Sequence, residues 1–265
     1  MQTTISDEEM KIIELFRKNV YGKKPDTAAS NQGHDGKGGH WLERQMGITA
    51  NANNQPDLFG YEMKNNTTSK TTFGDWSASY RIFRDKEANL TQVEFVRIFG
   101  RPNPDKNGRY SWSGDPVPKI NRASPYNGSV MLIDNEQNIS IIYNYSGDPR
   151  LDKASVVPPR FQKDNLILMR WTKEELEKKL LNKFGQHGWF KCSKNKNGEY
   201  SEISFGAPMT YENWIERIKE GIVIFDSAMR EDSNKPYASW RASNKYWNSL
   251  ITHTYPPFPE SLDNS

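Results

Sequence analysis

Between Pro56 and Lys64 the chain reads Pro-Asp-Leu-Phe-Gly-Tyr-Glu-Met-Lys, a spacing that can carry two carboxylates and an ammonium to one point. Side chains at i and i+2 of a β-strand share a face. A strand through this segment therefore presents Glu62 and Lys64 side by side and turns Tyr61 and Met63 toward a buried layer. Asp57 precedes the Gly60 break, and a bend there returns its carboxylate beside Glu62. Two such oxygen donors suit a hard divalent cation and leave coordination positions for water and a phosphate. The chemistry implied is Mg²⁺-dependent hydrolysis of a phosphodiester. The plainer alternative is a solvated ion pair at a polar strand end.

The preceding segment, Gly36-Lys37-Gly38-Gly39-His40-Trp41-Leu42-Glu43-Arg44-Gln45-Met46-Gly47, reads as a glycine-rich entry, a short amphipathic helix and a glycine stop. Trp41, Gln45 and Ile48 are expected to face a core, while Glu43 sits on another face, available as a third carboxylate. His34 and His40 match no zinc pattern; His40 is expected to shape the helix, His34 to be a loop residue and His187 to lie in a turn. No Gly-x-Ser-x-Gly elbow occurs, which excludes that serine-hydrolase signature.

With helix and strand together, the sequence resembles the PD-(D/E)XK nucleases, in the branch that holds the MvaI and BcnI restriction endonucleases and the mismatch-repair nickase MutH. The likeness covers roughly residues 33 to 66, with a weaker echo in the last third. It implies that Glu43 is the glutamate of the first core helix, Asp57 the motif aspartate, Glu62 the second acidic residue and Lys64 the motif lysine. It further implies an α/β fold, a mixed β-sheet flanked by helices, with a restriction-endonuclease-like core and long DNA-clasping loops. Mg²⁺ would be held by Asp57, Glu62 and Glu43, the last directly or through water. The substrate implied is double-stranded DNA, cut at a short specific sequence to leave 5′-phosphate ends. A cognate DNA methyltransferase is the implied genetic partner. A MutH-like strand-nicking repair endonuclease and a non-catalytic DNA-binding protein are the rival readings.

The chain has 265 residues, enough for one sizeable domain or two small ones. The expected division is a catalytic core region at 1–100, then 101–265 with the rest of the core sheet and the DNA-recognition segments, in one bilobed unit. No apolar run approaches a membrane span, and the N-terminus lacks the basic and apolar regions of a secretion signal. A cytoplasmic protein is the expectation. The single cysteine, Cys192, excludes an internal disulfide and reads as a packed strand thiol. A net charge of +3 is far from that of a histone-like binder, but a nuclease needs only one cleft lined by Lys and Arg. Eight tryptophans and twelve tyrosines suit a stacking surface or, more plainly, a core.

Periodicity places a first helix at 6–19, capped by Ser6 or Asp7. Residues 20–36 read as a loop whose Lys23, Lys24 and Lys37 are within reach of phosphates. The polar run from Asn65 to Phe73 is expected to extend the catalytic strand. Residues 100–129 hold too many Gly and Pro for long elements, and 147–163 is also irregular. Both are candidate DNA-clasping arms, or plain surface loops. Strands are expected at 129–133, 139–144, 166–171, 189–193, 199–205 and 222–225, and helices at 172–184 and 210–220. Finally, Lys235-Pro-Tyr-Ala-Ser-Trp-Arg-Ala-Ser-Asn-Lys-Tyr-Trp247 carries three positive charges, four aromatics and no acid. Arg241, Asn244 and Lys245 are the DNA contacts expected there, with Lys235, Arg230 and His253 as weaker candidates, since Arg and Asn read base edges and Lys holds phosphates. The alternative is an aromatic-rich element docked on the core.

Overall fold

The structure is a computed structural model and describes residues 5–26, 37–49, 54–65, 67 and 69–258. His34, Asn66, Thr68 and most of the 20–36 segment lie outside the described residues, as does the side chain of Lys37. The chain opens with α1 (Asp7–Asn19), α2 (Lys37–Gln45), β1 (Tyr61–Lys64), β2 (Lys70–Asp75), β3 (Tyr80–Arg81) and α3 (Gln92–Phe99). The middle comprises β4 (Arg101–Asn103), β5 (Arg109–Trp112), β6 (Val130–Ile133), β7 (Ile139–Tyr143), α4 (Lys153–Val156) and β8 (Leu166–Trp171). Then come α5 (Lys173–Phe184), β9 (Gly188–Lys194), β10 (Tyr200–Gly206) and α6 (Tyr211–Lys219). The last elements are β11 (Val223–Ser227), β12 (Met229–Arg230), β13 (Ala238–Ser243), α7 (Asn244–Ser249) and β14 (Ile251–Tyr255).

Two compact units interleave along the chain. The first takes residues 1–71, 179–210 and 244–265, the second 72–178 and 211–243. In the first unit one sheet runs β1-β9-β10-β14, with β1 parallel to β9 and antiparallel pairing beyond it. Period-two alternation gives this sheet two different faces. Tyr61, Met63, Phe190, Cys192, Ile203 and Phe205 lie on the face that packs against Ile12, Ile13 and Phe16 of α1 and Trp41 and Leu42 of α2. Each fully buried side chain of this size contributes about 1.5–3 kcal/mol, so the helices bind that face firmly. Ser6 caps α1 by accepting the Glu9 amide, and acids in its first turn and bases in its last complement the helix dipole. Cys192 is buried, and burial pushes its thiol up.

In the second unit the sheets run β3-β8-β7-β6, β11-β13-β2 and β12-β5-β4. Here the structure departs from the loop expected at 100–129. Short strands fit between its breakers: β4 and β5 pair through Arg101–Ser111 to Asn103–Arg109, and Pro102 stands on an edge strand, where a missing amide costs nothing. β1 also stops at Lys64 rather than continuing to Phe73, because β2 begins a separate sheet. Trp171, Phe225, Trp214 and Trp240 form a cluster of edge-to-face and tilted rings with contacting centroids 4.8–5.4 Å apart. The 235–247 segment thus contributes a core strand, with Trp240 fully buried.

The irregular 147–163 stretch is anchored by a buried ion pair. Arg150 Nη2 lies 2.7 Å from Asp148 Oδ2, and Arg150 also donates to the Ile98 carbonyl, while Tyr143 donates to Asp148. Burial alone would raise the Asp148 carboxyl, but these hydrogen bonds outweigh it and hold it below the usual carboxylate range. A depressed folded-state pKa stabilises the fold at pH values above the unfolded value, near 4, and the contribution is lost as pH falls below it. Asp148→Asn leaves Arg150 buried without its counter-charge, at an expected cost of about 3–5 kcal/mol. Urea denaturation at pH 7 reads that loss, and the difference between wild type and variant shrinks toward pH 3.

Candidate active site

Each of the motif side chains stands where it does for a local reason. Phe59 and Gly60 adopt positive φ, +48° and +81°, so the chain reverses just before β1. A Cβ at Gly60 would come within 2.4 Å of the His187 ring, so only glycine permits both the turn and the close approach. The reversal brings Asp57 back along β1, where its Oδ2 accepts the Met63 amide at 2.9 Å. Glu62 and Lys64 then emerge together on the sheet face opposite the α1/α2 core, only 3% and 8% exposed.

Burial sets the electrostatics. Lys64 Nζ lies 2.9 Å from Glu62 Oε1, and Lys183 Nζ of α5 lies 3.1 Å from the same oxygen. Glu62 Oε2 is buried with no hydrogen-bond partner among the described residues. The Asp57 carboxyl is pushed up to about 6, first by burial and then by the nearby charge of Glu62, against the opposing pull of the Met63 amide and the lysines. Burial lowers the Lys64 ammonium, and Lys183 adds to this, while Glu62 works the other way. Lys64 also lies over Phe184 and Trp247, 5.0 and 5.8 Å from their ring centroids. Trp247 is fixed by stacking edge-on against Trp189 at 5.0 Å and by donating to the Thr71 carbonyl.

A divalent cation fits this donor set. An orphaned buried carboxylate oxygen and a second carboxyl that resists ionisation because of burial and its neighbour's charge would both be relieved by a hard cation. Among the described residues no group of three or more His, Cys, Asp or Glu side chains converges as a metal cluster. Glu43 sits partly exposed on α2, with His40 Nδ1 3.2 Å from its Oε2. Gly39 lets α2 come close to the end of β1, since a Cβ there would stand 3.0 Å from Asn65 Nδ2.

The structure thus brings Asp57, Glu62 and Lys64 into one electrostatic cluster. Glu43 lies on the neighbouring helix, paired with His40. The residues expected at DNA each have a setting of their own. Lys235 and Lys245 are exposed, and Arg230 is exposed beside Asp232 at 3.2 Å. Arg241 lies 3.2 Å from Asp226. The Asn244 side chain donates to the Thr67 carbonyl and accepts from Thr71 Oγ1. His253 stacks on Phe205 and bonds Glu9 of α1. Sequence reading missed two lysines. Lys183 gave no local signal, because its partner lies far away in the sequence. Lys191 did give one: it interrupts the apolar run Trp189-Phe190-Lys191-Cys192.

Comparison with known proteins identifies the family. The family model described as the LlaMI restriction endonuclease matches residues 20–255. The Type II restriction enzyme ScrFI of Lactococcus lactis subsp. cremoris is 46% identical over 262 residues, covering 91% of this chain and 96% of that enzyme. The structure of restriction endonuclease MvaI in complex with cognate DNA superposes with a TM-score of 0.62 at 14% identity, over 94% of this chain and 98% of that one. At that identity the match concerns the fold, a mixed α/β restriction-endonuclease-like one. The motif strand, its helix and the match along nearly the whole chain agree: this protein belongs to the LlaMI restriction endonuclease family.

Proposed function

We propose that this type II restriction endonuclease hydrolyses DNA phosphodiesters with Mg²⁺, at one short duplex sequence, leaving 5′-phosphate ends. The observation that carries the reading is the Asp57–Glu62–Lys64 cluster, in which Glu62 and Lys64 are buried and one Glu62 oxygen is unsatisfied. Asp57 and Glu62 would hold the cation, with Glu43 adding a donor directly or through water. The chemistry that Mg²⁺ supplies when bound there is charge withdrawal from the scissile phosphate and a lowered pKa for a bound water. Lys64, desolvated and aimed by Phe184 and Trp247, orients the attacking water and matches the negative charge that develops on the phosphorus oxygens. Lys183 shares the charge of Glu62, which frees Lys64 from being its sole partner.

Plasmid incubation separates the alternatives. Discrete fragments in Mg²⁺ support restriction, nicked circles a strand-nicking repair enzyme, and unchanged supercoils a non-catalytic binder. The proposed setting is the cytoplasm, with a cognate methyltransferase protecting host sites; DNA methylated by such an enzyme should resist cutting.

Among the DNA contacts proposed at Arg230, Lys235, Arg241, Asn244, Lys245 and His253, Lys245 is exposed and would act as a phosphate ligand. Lys245→Ala should weaken cognate and random duplexes alike and flatten the slope of log K against log salt by about one. Arg241 would exchange Asp226 for a base edge, so Arg241→Ala should cost about 1–3 kcal/mol on the cognate site and far less on random DNA. Filter binding across a salt series reads both; unchanged affinity and slope in both variants would assign recognition to other segments.

A further inference from the structure

The sheet face that carries Glu62 and Lys64 continues beyond them. In register, Lys64 pairs with Lys191 on β9, Lys191 with Ser204 on β10, and Ser204 with Thr254 on β14. Paired residues on neighbouring strands share a face and stand ~4.8 Å apart, so a polar row leads sideways from the motif lysine. Beside that row is a groove of about 550 Å³, lined by Lys191, Ser204, Thr254, Asn248, Glu202 and Ile251 among others. None of these has a role in the cluster described above.

The row is built to hold an anion. Lys191 is only 8% exposed, an unusual place for a lysine without a reason. Its ammonium donates to Asn248 Oδ1 and makes no ion pair among the described residues. An ammonium has three N–H donors, so two remain. Ser204 Oγ and Thr254 Oγ1 are hydrogen-bonded to each other at 2.9 Å. That bond uses one of their two protons and leaves one O–H to donate. The exposed Glu202 carboxylate sits two residues before Ser204 on the same strand face, so the groove has an end that repels phosphate. Ile251 supplies an apolar contact of the kind that a sugar or base edge covers.

We propose that this groove is a nucleotide subsite, in which Lys191, Ser204 and Thr254 hold the phosphodiester next to the one hydrolysed and the neighbouring sugar lies along Ile251. The assignment rests on the nuclease reading. Seating that phosphate fixes which bond of the strand reaches Lys64, so Lys191 is a positioning residue rather than a catalytic one.

The test is titration of the ¹⁵N-labelled protein with thymidine 3′,5′-bisphosphate in excess chelator, which reads binding without any turnover. The expected result is a saturable set of amide shifts at Lys191, Ser204 and Thr254, with affinity reduced at least tenfold in Lys191→Met. Shifts confined to other segments, or equal affinity in a Lys191→Met variant whose spectrum is otherwise native, would overturn the subsite. Should that variant not fold, the wild-type shift map and Thr254→Val decide in the same way. Wild-type protein is incubated with plasmid and Mg²⁺ in parallel. Intact plasmid there counts against the nuclease reading, whereas the titration reports on the groove whatever the plasmid shows.

Discussion

Lys64→Ala abolishes DNA cleavage while leaving cognate binding within about tenfold of wild type. The lysine is asked to act on the attacking water and on charge that develops only as the bond breaks, so its removal affects the transition state more than the ground-state complex. The structure adds a reason why binding survives. Glu62 keeps Lys183 as a partner 3.1 Å away, so its carboxylate is not left buried without a counter-charge when Lys64 is lost. Single-turnover cleavage and a gel-shift in Ca²⁺ measure the two quantities. Near-wild-type digestion by the variant would remove the motif from the account.

Asp57→Asn and Glu62→Ala each eliminate Mg²⁺-dependent cleavage, but with opposite effects on stability. Glu62 is the shared counter-charge of two lysines, and Lys64 is buried. Its removal strands a buried ammonium, at about 3–5 kcal/mol. Asp57 differs because its folded-state pKa, about 6, lies above the unfolded carboxylate value near 4. Such an acid leaves the fold unaffected below pH 4 and opposes it increasingly between 4 and 6, after which the penalty is constant. In the metal-free protein at pH 7, Asp57→Asn therefore raises stability, by about 1 kcal/mol or more, while destroying activity. That trade is the mark of a residue kept for function rather than for folding. Denaturation in chelator checks the signs, and a metal-free Asp57→Asn protein less stable than wild type at pH 7 would contradict the electrostatics described above.

Much of the motif strand was legible because its information is local. The Asp57, Gly60, Glu62 and Lys64 spacing specifies a bend and a shared face by backbone geometry alone, and the helix around Glu43 announces itself by its glycine entry and apolar stripe. The helices at Asp7–Asn19 and Lys173–Phe184 and the hairpins around Asn135 and Gly198 were equally plain, since caps, turns and period-two alternation are short-range signals. What the sequence concealed is non-local. Nothing in a linear reading shows that residues 179–210 and 244–265 join residues 1–71, so neither Lys183 beside Glu62 nor Trp247 under Lys64 was foreseeable. The 100–129 segment looked irregular because its strands are three and four residues long, below the length at which periodicity shows. Composition also left the aromatic residues of the 235–247 stretch open between a stacking surface and a core. Trp240 and Trp247 are buried, and the same aromatic residues satisfy a stacking surface and a core equally well until burial is known.

If a Mg²⁺ centre at Asp57 and Glu62 cuts DNA at one short sequence, the ends of plasmid fragments carry its signature. Digestion in Mg²⁺, with a matched chelator control, is followed by sequencing of the termini and by ligation without prior kinase treatment. Every terminus is expected to fall at a single short sequence, the ends to ligate directly because they carry 5′-phosphates, and the chelator to leave the plasmid intact. Scattered termini, ends that require phosphorylation before ligation, or cutting in excess chelator would contradict that reading.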